Sequence, residues 1–365
     1  MLLEKRFNKE TLETFCPYHE PTGNPCPPCE HPDMDVSILV PVHNAMPYFQ
    51  QCIKSLLAQK LSGIRAELVI VESHCSDDSI RFLQSKEQEI RAQFARYTFA
   101  VCPEKGAGAA RNLCLSIAKG RFVLFVDADD KLLSPEYILS LFKKADAQDA
   151  DIAVSSMTRI ENGKLLLTMP PAHTGTSYRE FCRLPGFVAG KMILRERFTG
   201  ISFPDTLWFE DTIMQLLLVP KCKHVIGVPE VKYGYLKNTT SLTYRKDLSV
   251  RSLESVWVLH WILQEAKRLH LPSEYRKHDW NICFDLHFGT LFYNRIRKRS
   301  RAEQKAAFLY AGELMREAAK FCKEHSGKGL PLEVRAVWTG NFLLWNSICQ
   351  IKQAIHAAKT RITRR

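Results

Sequence analysis

An α/β fold with a mostly parallel sheet flanked by helices, followed by an α-helical C-terminal region, is the architecture this sequence predicts. Three observations carry the prediction. Short apolar runs such as VSILV at 36–40, ELVIV at 67–71 and FVLFV at 122–126 are too short for helices and too apolar for loops, so they read as buried strands. Segments with apolar residues at helical spacing separate them, and strands alternating with crossover helices build a parallel sheet. From about Asp247 onward the spacing is helical.

The elements follow in order. Residues 1–34 are polar and carry Pro17, Pro21, Pro25, Pro27, Pro28 and Pro32, a composition that buries little and reads as an appendage. After the strand at 36–40, a helix over 47–59 places Phe49, Cys52, Ile53, Leu56 and Leu57 on one face. The strand at 67–71 is followed by a helix that Asp77 and Asp78 open and that runs to about Phe94, with Ile80, Leu83 and Ile90 in register. A third strand covers 97–102. Gly106 and Gly108 introduce a helix over 109–118, which Gly120 ends. The fourth strand is 122–126, and another strand-like stretch lies at 152–155. A short helix is expected over 212–218, and breaks in the later helical part fall near Pro272 and at 327–331. Three parts result: a Cys/Pro-rich segment 1–34, an α/β domain 35–246 and a basic helical region 247–365.

Composition narrows the function classes. With 45% hydrophobic and 25% charged residues the 365-residue chain is an ordinary globular protein. Of its twelve cysteines, Cys52, Cys114, Cys283 and Cys349 sit inside apolar periodic segments, which suits reduced core thiols better than a disulfide framework. The opening MLLEKRFNKE has no apolar signal-peptide region, and no apolar run approaches the roughly 18 residues of a spanning helix. A cytoplasmic location is therefore expected, with attachment to the cytoplasmic face of a membrane as its variant. The net charge of +12 is unevenly placed: residues 291–365 hold sixteen Lys and Arg against five Glu, leaving the rest near neutral. A nucleic-acid binder would more often spread that charge over its binding fold, so no nucleic-acid partner is expected.

The fourth strand ends abruptly in Asp127-Ala128-Asp129-Asp130. Open α/β sheets bind ligands outside the carboxyl ends of their strands. Asp127 and Asp129, one residue apart on a turn, can reach one small hard cation, and such a cation can neutralise a diphosphate. The same residues also read as a solvated acidic turn.

Four segments in order then match one pattern. VSILVPVHNAMPYFQQCIKSLLAQ, EKGAGAARNLCLSIAKGRFVLFVDADD, GKMILRERFTGISFPDTLWFEDTIM and YGYLKNTTSLT resemble, over about residues 35–245, the family 2 glycosyltransferases. The resemblance implies a GT-A fold and transfer of a sugar from a nucleoside diphosphate donor, usually with inversion. It implies roles for individual residues too. Pro41, Val42 and Asn44 end the first strand where backbone groups meet the nucleotide. Glu72 keeps a carboxylate able to accept from a uracil imide or a ribose hydroxyl, which favours a UDP-sugar, although Ser73, His74 and Cys75 depart from the family's pattern. Arg111 supports the donor site. Asp127 and Asp129 become ribose and metal ligands, the ion being Mn²⁺ or Mg²⁺. Asp211 is the general base, which takes the acceptor hydroxyl's proton, and Glu210 orients the acceptor; both acids also suit the first turn of a helix. The segment 237–244 is a candidate mobile loop that shields the base from water, with Lys237 or Arg245 reaching the diphosphate.

The two ends remain. Cys16, His19, Cys26 and Cys29, with His31 in reserve, have ligand types that suit tetrahedral zinc, or they are incidental cysteines of a disordered arm. Leu344, Ile348, Ile351, Ile355 and Ala358 share one helical face, flanked by Trp338 and Trp345, with Lys352, Lys359, Arg361, Arg364 and Arg365 supplying charge. That helix either lies on an anionic membrane, beside a lipid-linked glycan acceptor, or packs back on the protein. The competing reading of the whole chain is a catalytically degenerate relative that binds nucleotides or glycans without turnover.

Overall fold

The computed structural model describes residues 9–28, 32–237, 250–271, 288–321 and 331–362. The chain divides into two compact units, one of residues 21–206 and 210–246, the other of 1–20, 207–209 and 247–365.

The first unit is built on a nine-stranded sheet. Its strands are β1 (Met34–Val42), β2 (Ala66–Glu72), β3 (Arg96–Val101), β4 (Gly120–Phe125), β5 (Lys131–Leu132), β6 (Ile152–Glu161), β7 (Lys164–Met169), β8 (Lys191–Leu194) and β9 (Val225–Leu236). The order is β3-β2-β1-β4-β8-β6-β9-β5, with β7 paired to the far half of β6. The first four strands are mutually parallel, as the alternation of apolar runs and helices requires. β1 and β2 are sealed on both faces, with Val36, Ile38, Val40, Leu68, Val69 and Ile70 inaccessible to solvent. Beyond β4 the sheet becomes mixed: β8 runs antiparallel to both β4 and β6, while β6 and β9 are parallel to each other.

Most predicted elements stand within a few residues of their expected bounds. The helix expected from Asp77 to Phe94 is two pieces, Ser79–Ser85 and Glu87–Gln93, broken at Lys86. The helix expected at 212–218 is a 3-10 turn at Glu210–Thr212 followed by a wider, π-type stretch at Met214–Leu218. The helix after Gly106, Ala107–Ile117, packs its lead-in against the chain itself. A Cβ on Gly108 would meet the Pro204 carbonyl at 2.4 Å, and one on Gly106 the Asp205 carbonyl at 2.7 Å. The glycines there admit protein backbone.

The N-terminal segment is shared between the units. Residues 9–20 go with the helical unit, where a short helix at Lys9–Glu13 buries Leu12. Residues 21–28 go with the sheet unit, where Cys26 forms a bridge with Thr199 and Thr22 donates twice to Asp205, at 3.0 and 2.9 Å.

The helical unit contains Glu254–Arg268, Thr290–Ile296, Arg301–Phe321, Leu332–Thr339 and Phe342–Ile362. In the last of these, Phe342, Trp345 and Cys349 are buried and Trp345 stacks with Phe292, Tyr293 and Phe308. Trp345 is thus a core residue of its unit and not a flank of an exposed face. The opposite side of the same helix leaves Leu343, Leu344, Ile351 and Ile355 exposed. No helix of the described residues is long and apolar enough to cross a membrane.

Candidate active site

The parallel strands deliver their carboxyl ends to one rim of the sheet. Val126 N extends β4 by donating to Leu39 O at 3.0 Å, so the chain leaves the strand at Asp127. The turn is closed by Asp130 N donating to Asp127 O at 2.9 Å. Two residues of β9 hold it from the side: the Tyr233 hydroxyl accepts from Asp127 N at 3.1 Å, and Leu236 N donates to Asp130 Oδ1 at 2.8 Å. Asp130 is buried, and that burial, with the neighbouring charges of Asp127 and Asp129, pushes its carboxyl well above the usual range. Asp127 and Asp129 stay half-buried on the open side of the turn. The three acids therefore divide in role, with Asp130 packed inward and the other two outward.

Arg111 joins this turn to the expected acceptor side. One guanidinium nitrogen donates to Asp127 Oδ1 at 3.2 Å and the other pairs with Glu210. The side chain is nearly buried, which alone would lower its pKa, but the charges of Glu210, Asp127 and Asp211 overcome this and hold it above the ordinary arginine value. Arg111 stands over the Phe203 ring, 5.7 Å from its centroid. The next residue, Asn112, exchanges two hydrogen bonds with the Phe203 backbone, Nδ2 to O at 2.8 Å and N to Oδ1 at 2.7 Å. The adjacent Arg and Asn thus do separate work: Asn112 docks the 203–205 segment on its helix, and Arg111 draws Glu210 toward Asp127. Asp127, Glu210 and Asp211 all act on one guanidinium.

At the end of β1, Val42 pairs with Glu72 in the parallel register. Val42 O accepts from Ser73 N at 2.9 Å. Asn44 adopts φ +46°, and its Oδ1 accepts from Ser76 N at 2.7 Å, tying the two strand ends together. Glu72 is buried, and its Oε1 accepts from Cys75 N. Its carboxylate therefore folds the Ser73–Cys75 turn, and His74, at φ +54°, lies with Nε2 3.0 Å from Pro103 O. Burial would raise Asp77, but hydrogen bonds from Ser79 and Met46 N hold its carboxyl below the usual range. Pro41, Val42, Asn44 and Glu72 share the rim with Asp127. Lys237 does not join the cluster: its N donates to Ile160 O at 2.8 Å and its ammonium pairs with Glu161. The rest of the 237–244 segment and Arg245 lie outside the described residues.

Two site residues had no reading from the sequence. Tyr233 opens the YGY run, and only the pairing of β9 shows its hydroxyl meeting Asp127. Lys191 opens β8 and is wholly buried; the GK dipeptide alone gives no sign that the lysine points inward.

Hard oxygen donors on Asp127 and Asp129 fit Mn²⁺ or Mg²⁺. Such ions take one or two carboxylates and complete their shell with substrate phosphates and water, so a larger protein cage is not required. Among the described residues no three His, Cys, Asp or Glu side chains converge to hold an ion. For the expected zinc ligands, Cys16 is buried in the helical unit, its thiol pushed up to about 11 by burial and then by the charge of Glu254. Cys26 Sγ lies 3.5 Å from Pro27 O, and Cys29 and His31 fall outside the described residues. A cleft of about 420 Å³ near Gln59, Ile64 and Ala66 opens at the amino end of β2, away from the carboxyl rim.

Known proteins resemble this chain in sequence and in fold. The profile described as "Glycosyl transferase family 2" matches residues 37–202. A poly(ribitol-phosphate) beta-glucosyltransferase of Bacillus spizizenii is 30% identical over 215 residues, 56% of this chain and 32% of that protein, so the chain spans about a third of its length. TuaG of Bacillus subtilis, named as a glycosyltransferase of teichuronic acid biosynthesis, is 26% identical over 252 residues, covering 68% of this chain and 92% of the relative. Among solved structures, Staphylococcus aureus TarS 1–349 superposes with a TM-score of 0.66 at 16% identity, covering 88% of this chain and 92% of that one. The same protein in complex with UDP-GlcNAc gives 0.63 at 16% identity, with the same coverage. The GT-A fold and the ordered motifs agree: residues 37–202 match the family 2 glycosyltransferase model, on a fold that TarS shares.

Proposed function

We propose that the chain transfers a sugar from a nucleoside diphosphate donor, a UDP-sugar by preference, to a hydroxyl of a cell-surface or lipid-linked glycan, inverting the anomeric carbon. The observation that carries this reading is the Arg111 bridge. It couples a carboxylate on the donor rim, Asp127, to one on the acceptor side, Glu210, with Asp211 next in chain. The names of the relatives, which concern ribitol-phosphate polymers and teichuronic acid, and the UDP-GlcNAc complex of TarS support the choice of substrate classes.

In this reading the donor lies across the ends of β1, β2 and β4, with its base near Asn44 and Glu72. Asp127 and Asp129 would hold the Mn²⁺ or Mg²⁺, which supplies charge neutralisation to the departing nucleoside diphosphate. Asp211 takes the acceptor hydroxyl's proton as that oxygen forms its bond to the anomeric carbon. The bond from that carbon to the diphosphate breaks, and its electron pair leaves with the nucleotide. Glu210, fixed by Arg111, orients the acceptor. A panel of nucleotide sugars, scored for slow Mn²⁺-dependent donor hydrolysis with the wild type, Asp127→Ala and Asp211→Ala, tests the reading. Unchanged turnover in both variants would sink it.

The exposed Leu344, Ile351 and Ile355 face, with the basic residues that follow it, supports a second element of the proposal: attachment to an anionic membrane surface that carries the acceptor.

A further inference from the structure

Lys191 is the first residue of β8. Because β8 runs antiparallel to β4, with Met192 opposite Leu124, its first residue stands at the carboxyl rim of β4, where the acids are. The side chain is 1% exposed. Such burial of an ammonium is costly unless hydrogen bonds and charge offset it. Here Nζ donates to Phe187 O and lies 3.9 Å from the centre of the Phe187 ring. Phe187 belongs to a turn that runs beside the Glu210–Asp211 turn: a Cβ on the preceding Gly186 would come within 4.0 Å of Asp211 O. Burial pushes the lysine down to about 7, and the one charge that opposes this among the described residues is that of Asp211. The carbonyl and the ring satisfy the ammonium without neutralising it, and Asp211 is the acid whose charge favours its protonated form.

We propose that Lys191 is a positioning residue for Asp211, holding the Gly186–Phe187 turn against the Asp211 backbone and presenting a buried positive charge to its carboxylate. A cation so placed favours the ionised, proton-accepting form of a carboxylate, which is the form a base needs. The proposal deepens the assignment of Asp211 as base and rests on it. It assigns a function to the lysine of the GKMIL segment that no exposed residue could serve, because in water the same charge would be screened.

The test is a double-mutant cycle read by thermal unfolding of the full chain, with Lys191→Met, Asp211→Asn and the pair, at pH 6 and pH 9. At pH 6 the cost of Asp211→Asn should be larger by about 3 °C when Lys191 is present than in the Lys191→Met background. At pH 9, where the lysine has lost its proton, the two costs should agree. A Lys191→Arg background should keep the difference at both pH values, because a guanidinium does not discharge; it also serves if the methionine variant folds poorly. Equal costs at both pH values, or a difference unchanged at pH 9 with lysine present, would overturn the proposal, since packing alone has no such dependence. The measurement needs no donor, so failure to find turnover would bear on the base assignment and not on this coupling.

Discussion

Arg111 and Glu210, separated by 99 positions, form a buried ion pair, and the same guanidinium donates to Asp127 at 3.2 Å. Three carboxylates that would repel one another are held near one cation. Arg111→Ala should therefore cost about 3 kcal/mol, because it leaves partly buried acids facing one another without their cation. Arg111→Lys should recover little, since one ammonium cannot reproduce the two-armed bridge. Urea unfolding of the three proteins, followed by tryptophan fluorescence and circular dichroism, checks this order.

Asp127 and Asp211 should differ in the kind of damage they report. Asp211→Asn is expected to lower kcat by about 10³-fold, the range for loss of a positioned base, with donor KM little changed. Asp127→Asn should instead raise the Mn²⁺ concentration needed for half-maximal rate. Steady-state kinetics at varied donor and metal separates the two.

Gly108 should respond to alanine against the usual trend. In a helix, Gly→Ala ordinarily stabilises by about 1 kcal/mol. Here the new methyl would lie 2.4 Å from the Pro204 carbonyl, a backbone atom that cannot turn away. Gly108→Ala should destabilise the protein by about 1–3 kcal/mol, as overpacking does. Because Pro204 lies in the segment that Asn112 docks, activity should fall with it. A melt and a rate on the same sample check both.

Lys191 makes stability depend on pH in a defined direction. Its folded value of about 7 is depressed from the usual 10.5. Between those values the unfolded chain binds the extra proton, so stability rises with pH through the window. Below pH 7 the full cost of burying the charge is present. Relative to Lys191→Met, the wild type should therefore gain stability from pH 7 to about pH 10, with a slope of up to about 1.4 kcal/mol per pH unit. Denaturant melts of both proteins across that range give the slope.

The exposed apolar face of the last helix predicts membrane binding. Flotation with anionic liposomes should recover the wild type and lose a Leu344→Asp, Ile351→Asp, Ile355→Asp variant, which should stay folded because those side chains are exposed. Equal recovery of the two would argue that the face serves another end.

How legible the molecule was from sequence depends on the range of the interactions involved. The parallel strands were plain because strands buried on both faces are apolar over most of their length, as ILV in β1, LVIV in β2 and FVLF in β4 are. β7 was not read, since its KLLLTM is apolar yet exposed along its whole length. β8 and β9 were missed because a short strand and a proline-interrupted one carry weak periodicity of their own and are defined by their neighbours. Asp127, Asp129, Arg111, Glu210 and Asp211 were named by their motifs, and the structure brings Asp127 and Glu210 onto one guanidinium. Glu72 was found too, but its inward hydrogen bond to Cys75 N was not.

Residue types and local order sufficed for the α/β class and the rim on which the acids stand, because these follow from periodicity and short-range chemistry along the chain, and four ordered motifs carried the family resemblance. Which side chain faces which was settled only by folding. Arg111 between two acid turns, Tyr233 under Asp127, and Lys191 turned inward all depend on antiparallel and crossover pairings between residues far apart in sequence. Burial then changes the chemistry of the groups so placed: removed from water, a lysine and an aspartate acquire charges that depend on their surroundings, which composition and spacing do not encode.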